Sequence, residues 1–127
     1  MFERGGFAYV YLIYGRNWWL NATAEFSGSP AAVLIRAIQP RDGLASMFLR
    51  RSAHSIRSLT NGPGKLTEAF GIDGSLNATD LTAIGPLFIC GSEKKVQMEV
   101  VTSRRVGVTK GCDFPWRFHI KGNPFVS

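Results

Sequence analysis

Tyrosines at positions 9, 11 and 14 are the residues whose type and spacing most clearly suggest chemistry in this sequence. Residues two apart on a β-strand share a face, so Tyr9 and Tyr11 would point the same way. Tyr14 has the other parity and precedes Gly15, where the chain is expected to turn. Phenol rings on one face and a ring at a turn tip could form a base-stacking pocket with a wedge beside it. Alternatively, the three tyrosines are ordinary core and rim residues of a strand.

Two cationic side chains have notable surroundings. Lys65 follows an Asn-Gly-Pro-Gly turn at an expected helix start, where free backbone N–H groups favour an anion such as phosphate. An ordinary turn with a helix cap explains the same residues. Arg36 lies in the apolar run 31–38 and needs a carboxylate or phosphate there, because an unpaired buried charge is costly. A functional role and a structural ion pair are both open for Arg36.

The elements that must position these residues follow from the pattern of the chain. Runs rich in Val, Ile and aromatic residues predict strands over 8–14, 17–25 and 31–38. Asp42, as an N-cap, predicts a helix over 42–53, followed by a polar, basic loop over 52–60. The 61–64 turn opens a short helix that runs through Phe70 and ends at Gly71. Further strands are predicted near 86–90, 95–102, 104–109 and 116–121, which together indicate one α+β domain with a mostly antiparallel sheet.

Composition narrows the classes of protein. The 127 residues suffice for one domain, and 45% hydrophobic content argues against disorder. A net charge of +6 favours a polyanionic partner such as nucleic acid or acidic lipid. Cys90 and Cys112 have no metal-type spacing and are expected to be free thiols, with Cys90 in the core. No hydrolase triad is recognisable, and neither a metal nor a cofactor is expected.

The first residues of the sequence bear on the cellular location of the protein. The longest apolar run, Phe7 to Tyr14, is too short to span a bilayer, and nothing before it resembles a signal peptide. The sequence therefore predicts an intracellular protein, cytoplasmic or nuclear with the bacterial cytoplasm favoured, that does not bind membranes.

Several stretches, in order from the first residue to the last, resemble the alkyladenine (3-methyladenine) DNA glycosylase family. They are Met1-Phe2, Ala8–Gly15, Asn21, Ala32–Ala37, Leu59–Leu66, Gly71-Ile72, Asp80-Leu81, Arg105–Val108 and Pro115–Ser127. The resemblance implies a single α+β domain with a curved, mostly antiparallel sheet and a few short helices. It also implies base excision repair, in which an alkylated or deaminated purine is flipped out of double-stranded DNA and its N-glycosidic bond is hydrolysed.

The resemblance assigns roles residue by residue. Tyr14 corresponds to the aromatic wedge that enters from the minor groove, and Tyr11 to a ring that stacks on the extruded base. Asn21 matches the residue that disfavours guanine through its exocyclic amine, and Leu34 would line the pocket.

Four further residues take part in this assignment. Arg36 and the backbone carbonyl of Val106 would hold the attacking water. Lys65 would contact a phosphate, and Arg16, which replaces a commonly apolar residue beside the wedge, would also face the DNA backbone.

One departure from the family bears on activity. The general-base glutamate of the family lies in a segment upstream of the residues that this chain matches, and none of the nine acidic residues here occupies its position. Residues 1–127 therefore resemble the C-terminal two-thirds of the domain, N-terminally truncated and expected to be a monomer if complete. Three hypotheses follow: a DNA glycosylase that needs its missing part, a catalytically inactive module that binds damaged DNA, or a fragment that does not fold.

Overall fold

The first aromatic run forms a β-hairpin, as its spacing predicts. In the computed structural model, which describes residues 4–26 and 28–127, β1 (Ala8–Ile13) pairs antiparallel with β2 (Asn17–Thr23). The register places Tyr9 opposite Asn21 and Tyr11 opposite Trp19. Met1-Phe2, part of the family resemblance, lies outside the described residues.

The third strand is shorter than the predicted 31–38. β3 (Ala32–Leu34) pairs antiparallel with Asn21–Thr23 of β2 and completes a three-stranded sheet in the order β1-β2-β3. The pairing ends because a helix side chain replaces the strand beside β2: the Thr67 hydroxyl donates to the Trp18 carbonyl at 2.7 Å. Arg36 therefore lies beyond the strand in which it was expected.

Three short helices pack near the sheet. They are α1 (Leu44–Arg50), α2 (Ile56–Leu59) and α3 (Pro63–Phe70), and a single 3-10 turn follows at Gly74–Leu76. Gly71 ends α3 with φ +68°, as predicted. Among the described residues, none of the helices is both long and apolar enough to cross a membrane.

Two predictions about these helices were wrong. The N-cap of α1 is Gly43 rather than Asp42, and it makes no side-chain cap bond. The segment expected to be a loop contains α2, which a capping box stabilises: the Ser55 hydroxyl accepts from the Ser58 N–H, and the Ser58 hydroxyl accepts from the Ser55 N–H.

A second sheet is formed by β4 (Val100–Ser103) and β5 (Arg117–Ile120), which pair antiparallel. The strands predicted near 86–90 and 104–109 are absent from the described chain, because those residues have no pairing partner. Cys90 lies in this extended, open part of the molecule and is exposed, so its expected place in the core was wrong. Both cysteines are free thiols.

The core consists of two apolar clusters, one beside the three-stranded sheet and one among the helices. One joins the inner face of β1 and β2 to the segment after α3, through Ala8, Val10, Leu20, Ile72 and Leu81. The other joins the three helices through Met47, Leu59 and Ala69. The fold is α+β with antiparallel pairing in both sheets, as the sequence predicts.

Candidate functional site

Aromatic and amide side chains share the face of the main sheet opposite the core. The Tyr9 and Tyr11 ring centroids are 4.9 Å apart, and Tyr11 lies 6.3 Å from the Trp19 ring across the strand pair. Asn21 is buried, pairs in register with Leu34, and donates from Nδ2 to the Tyr9 carbonyl at 3.3 Å. The structure therefore brings Tyr11, Asn21 and Leu34 onto one surface, which we call the tyrosine face.

The electrostatics of the tyrosine face favour a neutral phenol at Tyr11. Burial raises the pKa of the Tyr11 hydroxyl, and Tyr9 raises it further, whereas hydrogen bonding from Asn21 lowers it. A neutral, electron-rich ring is suited to stacking on a flat or cationic group. Tyr9 and Trp19 extend this surface along the sheet.

Tyr14 stands at the tip of the β1–β2 hairpin. Its side chain is 95% exposed, and its φ of +50° is followed by +66° at Gly15. The Arg16 N–H donates to the Ile13 carbonyl at 3.0 Å and closes this turn. Consecutive positive φ angles match the right-handed twist of a hairpin, although an aromatic residue rarely adopts them. The ring thus projects from a tightly defined turn and does not pack in the interior.

Arg36 and Val106, which are 70 residues apart in the sequence, are joined directly. The Arg36 Nη1 donates to the Val106 carbonyl at 3.3 Å, and its Nε donates to the Ser127 hydroxyl at 3.1 Å. Burial, followed by the positive charges of Arg117 and Arg105, lowers the pKa of the Arg36 guanidinium. Among the described residues, no Asp or Glu carboxylate pairs with Arg36, and both ion pairs lie elsewhere.

A cavity with charged walls opens where α3 begins beside β2. It has a volume of about 390 Å³ and is lined by Lys65, Arg51 and Glu68 together with Trp19, and the Glu68 carboxylate pairs with the Arg51 guanidinium at 3.2 Å. A smaller cavity of about 200 Å³ adjoins it and is lined in part by Arg16. The Lys65 ammonium donates to the Asn61 side chain at 3.0 Å, so the turn holds this lysine at the cavity rim. The two predicted backbone-contact residues therefore flank one region.

Known proteins match this sequence over nearly its whole length. The family model for methylpurine-DNA glycosylase matches residues 1–124. The chain belongs to the methylpurine-DNA glycosylase family. A relative in Salinibacter ruber is 46% identical over 127 residues, which are 100% of this chain and 61% of the relative.

Two more relatives agree with this assignment. One in Rhodopseudomonas palustris (strain HaA2) is 46% identical across the whole chain and 62% of its own length; one in Desulfitobacterium hafniense is 38% identical across the whole chain and 67% of its length. All three carry the name 3-methyladenine DNA glycosylase as a provisional assignment. The chain thus spans about 60% of the length of the first curated relatives that it matches.

Sequence reasoning did not single out several residues that the structure adds to this methylpurine-DNA glycosylase family member. Trp19 could have been found, because a hairpin centred on Gly15 places it opposite Tyr11. Arg51 and Ser127 gave no signal, since only the folded chain brings them to Lys65 and Arg36. Arg117 donates to the Ser127 carbonyl at 2.6 Å and so holds the residue that contacts Arg36.

Proposed function

We propose that this chain forms the C-terminal two-thirds of a DNA glycosylase of base excision repair, which flips a damaged purine out of double-stranded DNA and hydrolyses its N-glycosidic bond. The observation that carries the proposal is the Tyr14 ring, 95% exposed at the tip of a hairpin whose adjoining face presents Tyr11 and Asn21. Extrusion of a base leaves a gap in the stack, and an inserted apolar ring can fill it.

Tyr11, Asn21 and Leu34 would form the pocket for the extruded base in this proposal. The Tyr11 ring offers a stacking surface, and its neutral hydroxyl adds no charge that would oppose a purine. The buried Asn21 side chain has little freedom to retreat, because Nδ2 is held by the Tyr9 carbonyl. A purine carrying an additional exocyclic amine would collide with a group in this position, which would disfavour guanine.

Arg36 and the Val106 carbonyl would position the attacking water. The direct hydrogen bond at 3.3 Å holds the two groups side by side, so a water near both could accept from another N–H of the guanidinium and donate to the second lone pair of the carbonyl. A carboxylate that removes the proton from this water would have to come from the part of the domain that the relatives have in addition. General-base catalysis contributes roughly 10²–10⁴-fold, so the chain alone is expected to hydrolyse poorly.

Lys65 and Arg16 would contact the DNA backbone next to the wedge. Both line the cavities at the junction of β2 and α3, next to the hairpin that carries Tyr14. Phosphate contacts from such residues would fix the register of the protein on the duplex, while the tyrosine face reads the base.

A cleavage assay tests the proposal. The chain, and a fusion in which the unmatched segment of the Salinibacter ruber relative precedes it, are incubated with duplex DNA that contains hypoxanthine or ethenoadenine. We expect the fusion to release the base and the chain alone to be at least a hundredfold slower. Arg36→Gln in the fusion should reduce cleavage, whereas Arg104→Gln, at an exposed neighbouring position, serves as the matched control.

Failure of the folded fusion to release either base would contradict the proposal.

A second candidate function also has a specific observation in its favour. The exposed Tyr14 ring and Lys65 are present, whereas none of the nine acidic residues occupies the position of the family's general base, which suits a module that binds damaged DNA without cleaving it. Lesion-specific binding by the fusion without any base release would favour that function.

A further inference from the structure

The second sheet, β4 and β5, exposes its more apolar face and turns its more polar face towards the rest of the chain. Its face towards the rest of the chain carries three polar side chains, Ser103, Arg117 and His119, beside Val101, and Arg117 donates to the Ser103 hydroxyl at 2.9 Å and to the Ser127 carbonyl at 2.6 Å. The register places Val100, Thr102, Phe118 and Ile120 on its other face, where Val100 is 61% and Phe118 64% exposed. A soluble antiparallel sheet normally buries its apolar face and exposes its polar one.

The apolar surface continues beyond the paired strands. Met98 precedes Val100 by two residues, and the Lys121 N–H donates to the Glu99 carbonyl at 2.9 Å, which extends the ladder towards it. Trp116 precedes Phe118 by two residues and is 61% exposed, with its ring stacked on Phe114 at 4.4 Å. Residues two apart share a face of a strand. We call this surface of Met98, Val100, Trp116 and Phe118 the β4–β5 apolar face.

An uncovered patch of this composition indicates an interface. Large aromatic and aliphatic side chains that are exposed together mark sites where another polypeptide packs. A nucleic-acid surface would be strongly basic, whereas the positions that define this face carry no charge. The surface chemistry therefore favours a polypeptide with a complementary apolar side.

The lengths of the relatives identify the occupant. The chain spans 61% of the Salinibacter ruber relative, and all 127 of its residues are matched, so more than a third of that relative has no counterpart here. We propose that the β4–β5 apolar face is the docking surface for this unmatched segment of the family. The segment would cover Val100 and Phe118 with its own apolar side chains and complete the domain around the second sheet.

A binding experiment tests this inference without any cleavage assay, so its failure is distinguishable from failure of the proposed enzyme activity. The unmatched segment of the Salinibacter ruber relative is added to the full chain as a separate polypeptide, and binding is measured by calorimetry. We expect one-to-one binding, weakened at least tenfold by Phe118→Ser. Leu49→Ser, at an 88% exposed apolar position of α1, should leave binding unchanged and is the matched control.

Circular dichroism establishes that the chain and both variants are folded, and light scattering reports the oligomeric state. Absence of binding by folded chain, or equal binding by both variants, would overturn the inference. A homodimer of the chain that Phe118→Ser abolishes would also overturn it, since the occupant would then be a second copy. If the segment is insoluble alone, amide hydrogen exchange is measured on the fusion. Added protection of residues 98–103 and 116–120 supports the inference, and unchanged exchange there contradicts it.

Discussion

At the scale of single residues, the tyrosine face combines stacking surface with restricted polar groups. Tyr11 lies between Tyr9 and Trp19, and Asn21 is fixed beneath them by a hydrogen bond to the strand. Each residue of this set comes from a strand whose register leaves no freedom to change faces, because a slip of one residue would expose the core side chains. The rigidity of the sheet is therefore passed on to the candidate pocket.

The Tyr11 hydroxyl should titrate above pH 10.0, because burial and Tyr9 raise its pKa from that ordinary value. Since the folded pKa is raised, Tyr11 contributes stability that is complete below the unfolded pKa and is lost as the pH rises through the folded one. The difference in phenolate absorbance between the unaltered chain and Tyr11→Phe should show the Tyr11 transition above pH 10.0.

The variant Asn21→Ala should change the same phenolate titration in a different way from Tyr11→Phe. Because the Asn21 hydrogen bond lowers the pKa of Tyr11, its removal should move the same transition to still higher pH. A Tyr11 transition at or below pH 10.0 in the folded protein would refute the described environment of the ring.

At the scale of elements, the junction between β2 and the residues after α3 determines where the hairpin lies. Thr67 of α3 is fully buried and donates to the Trp18 carbonyl, which anchors the helix to the strand. The Trp18 ring packs against Gly74 in the 3-10 turn, where an added Cβ atom would lie 2.7 Å from the ring. This close approach leaves no space for a side chain at position 74.

Gly74→Ala should therefore destabilise the protein by about 1–3 kcal/mol, the usual cost of overpacking, despite the smaller entropy of the unfolded chain. Gly91→Ala is the matched control, because an added Cβ there would meet nothing within 4 Å. Urea unfolding followed by circular dichroism measures both. Equal stabilities of the two variants would contradict the packing of Trp18 on the 3-10 turn.

Sequence patterns predicted the elements whose information is local. The β1–β2 hairpin follows from alternating aromatic residues around Gly15, and the end of α3 follows from Gly71. The length of β3 could not be predicted, because Ile35, Ala37 and Ile38 continue its apolar composition and only the arrival of Thr67 beside Trp18 ends it. The α2 helix was missed because four residues carry no periodicity, although Ser55 and Ser58 at capping-box spacing were a signal.

The candidate site was predictable to a similar extent. The shared face of Tyr9 and Tyr11 follows from strand parity alone. The contact between Arg36 and Val106 does not, since 70 residues separate them and no pattern links the two segments. The family resemblance assigned both residues to one site, and the folded chain joins them by a hydrogen bond. The functional roles of these residues stay predictions.

At the scale of the whole molecule, a positive net charge of +6 accompanies a candidate site with the exposed Tyr14 ring at one end and the cavity that contains Lys65 beside it. Binding of such a chain to DNA should weaken as salt rises, because each neutralised phosphate releases counterions. Selectivity for a damaged base, by contrast, should depend on the Tyr14 ring and the tyrosine face. The central claim is that these two parts act together on an extruded purine.

The most direct test compares the affinities of the fusion with the unmatched Salinibacter ruber segment for an ethenoadenine duplex and for the intact duplex, measured by fluorescence anisotropy at fixed salt. We predict a preference for the damaged duplex that Tyr14→Ala reduces at least tenfold, with stability altered by no more than about 0.5 kcal/mol because the side chain is exposed. Phe26→Ala, at another exposed aromatic position, should retain the preference. Equal affinity for both duplexes, or an undiminished preference in Tyr14→Ala, would contradict the account.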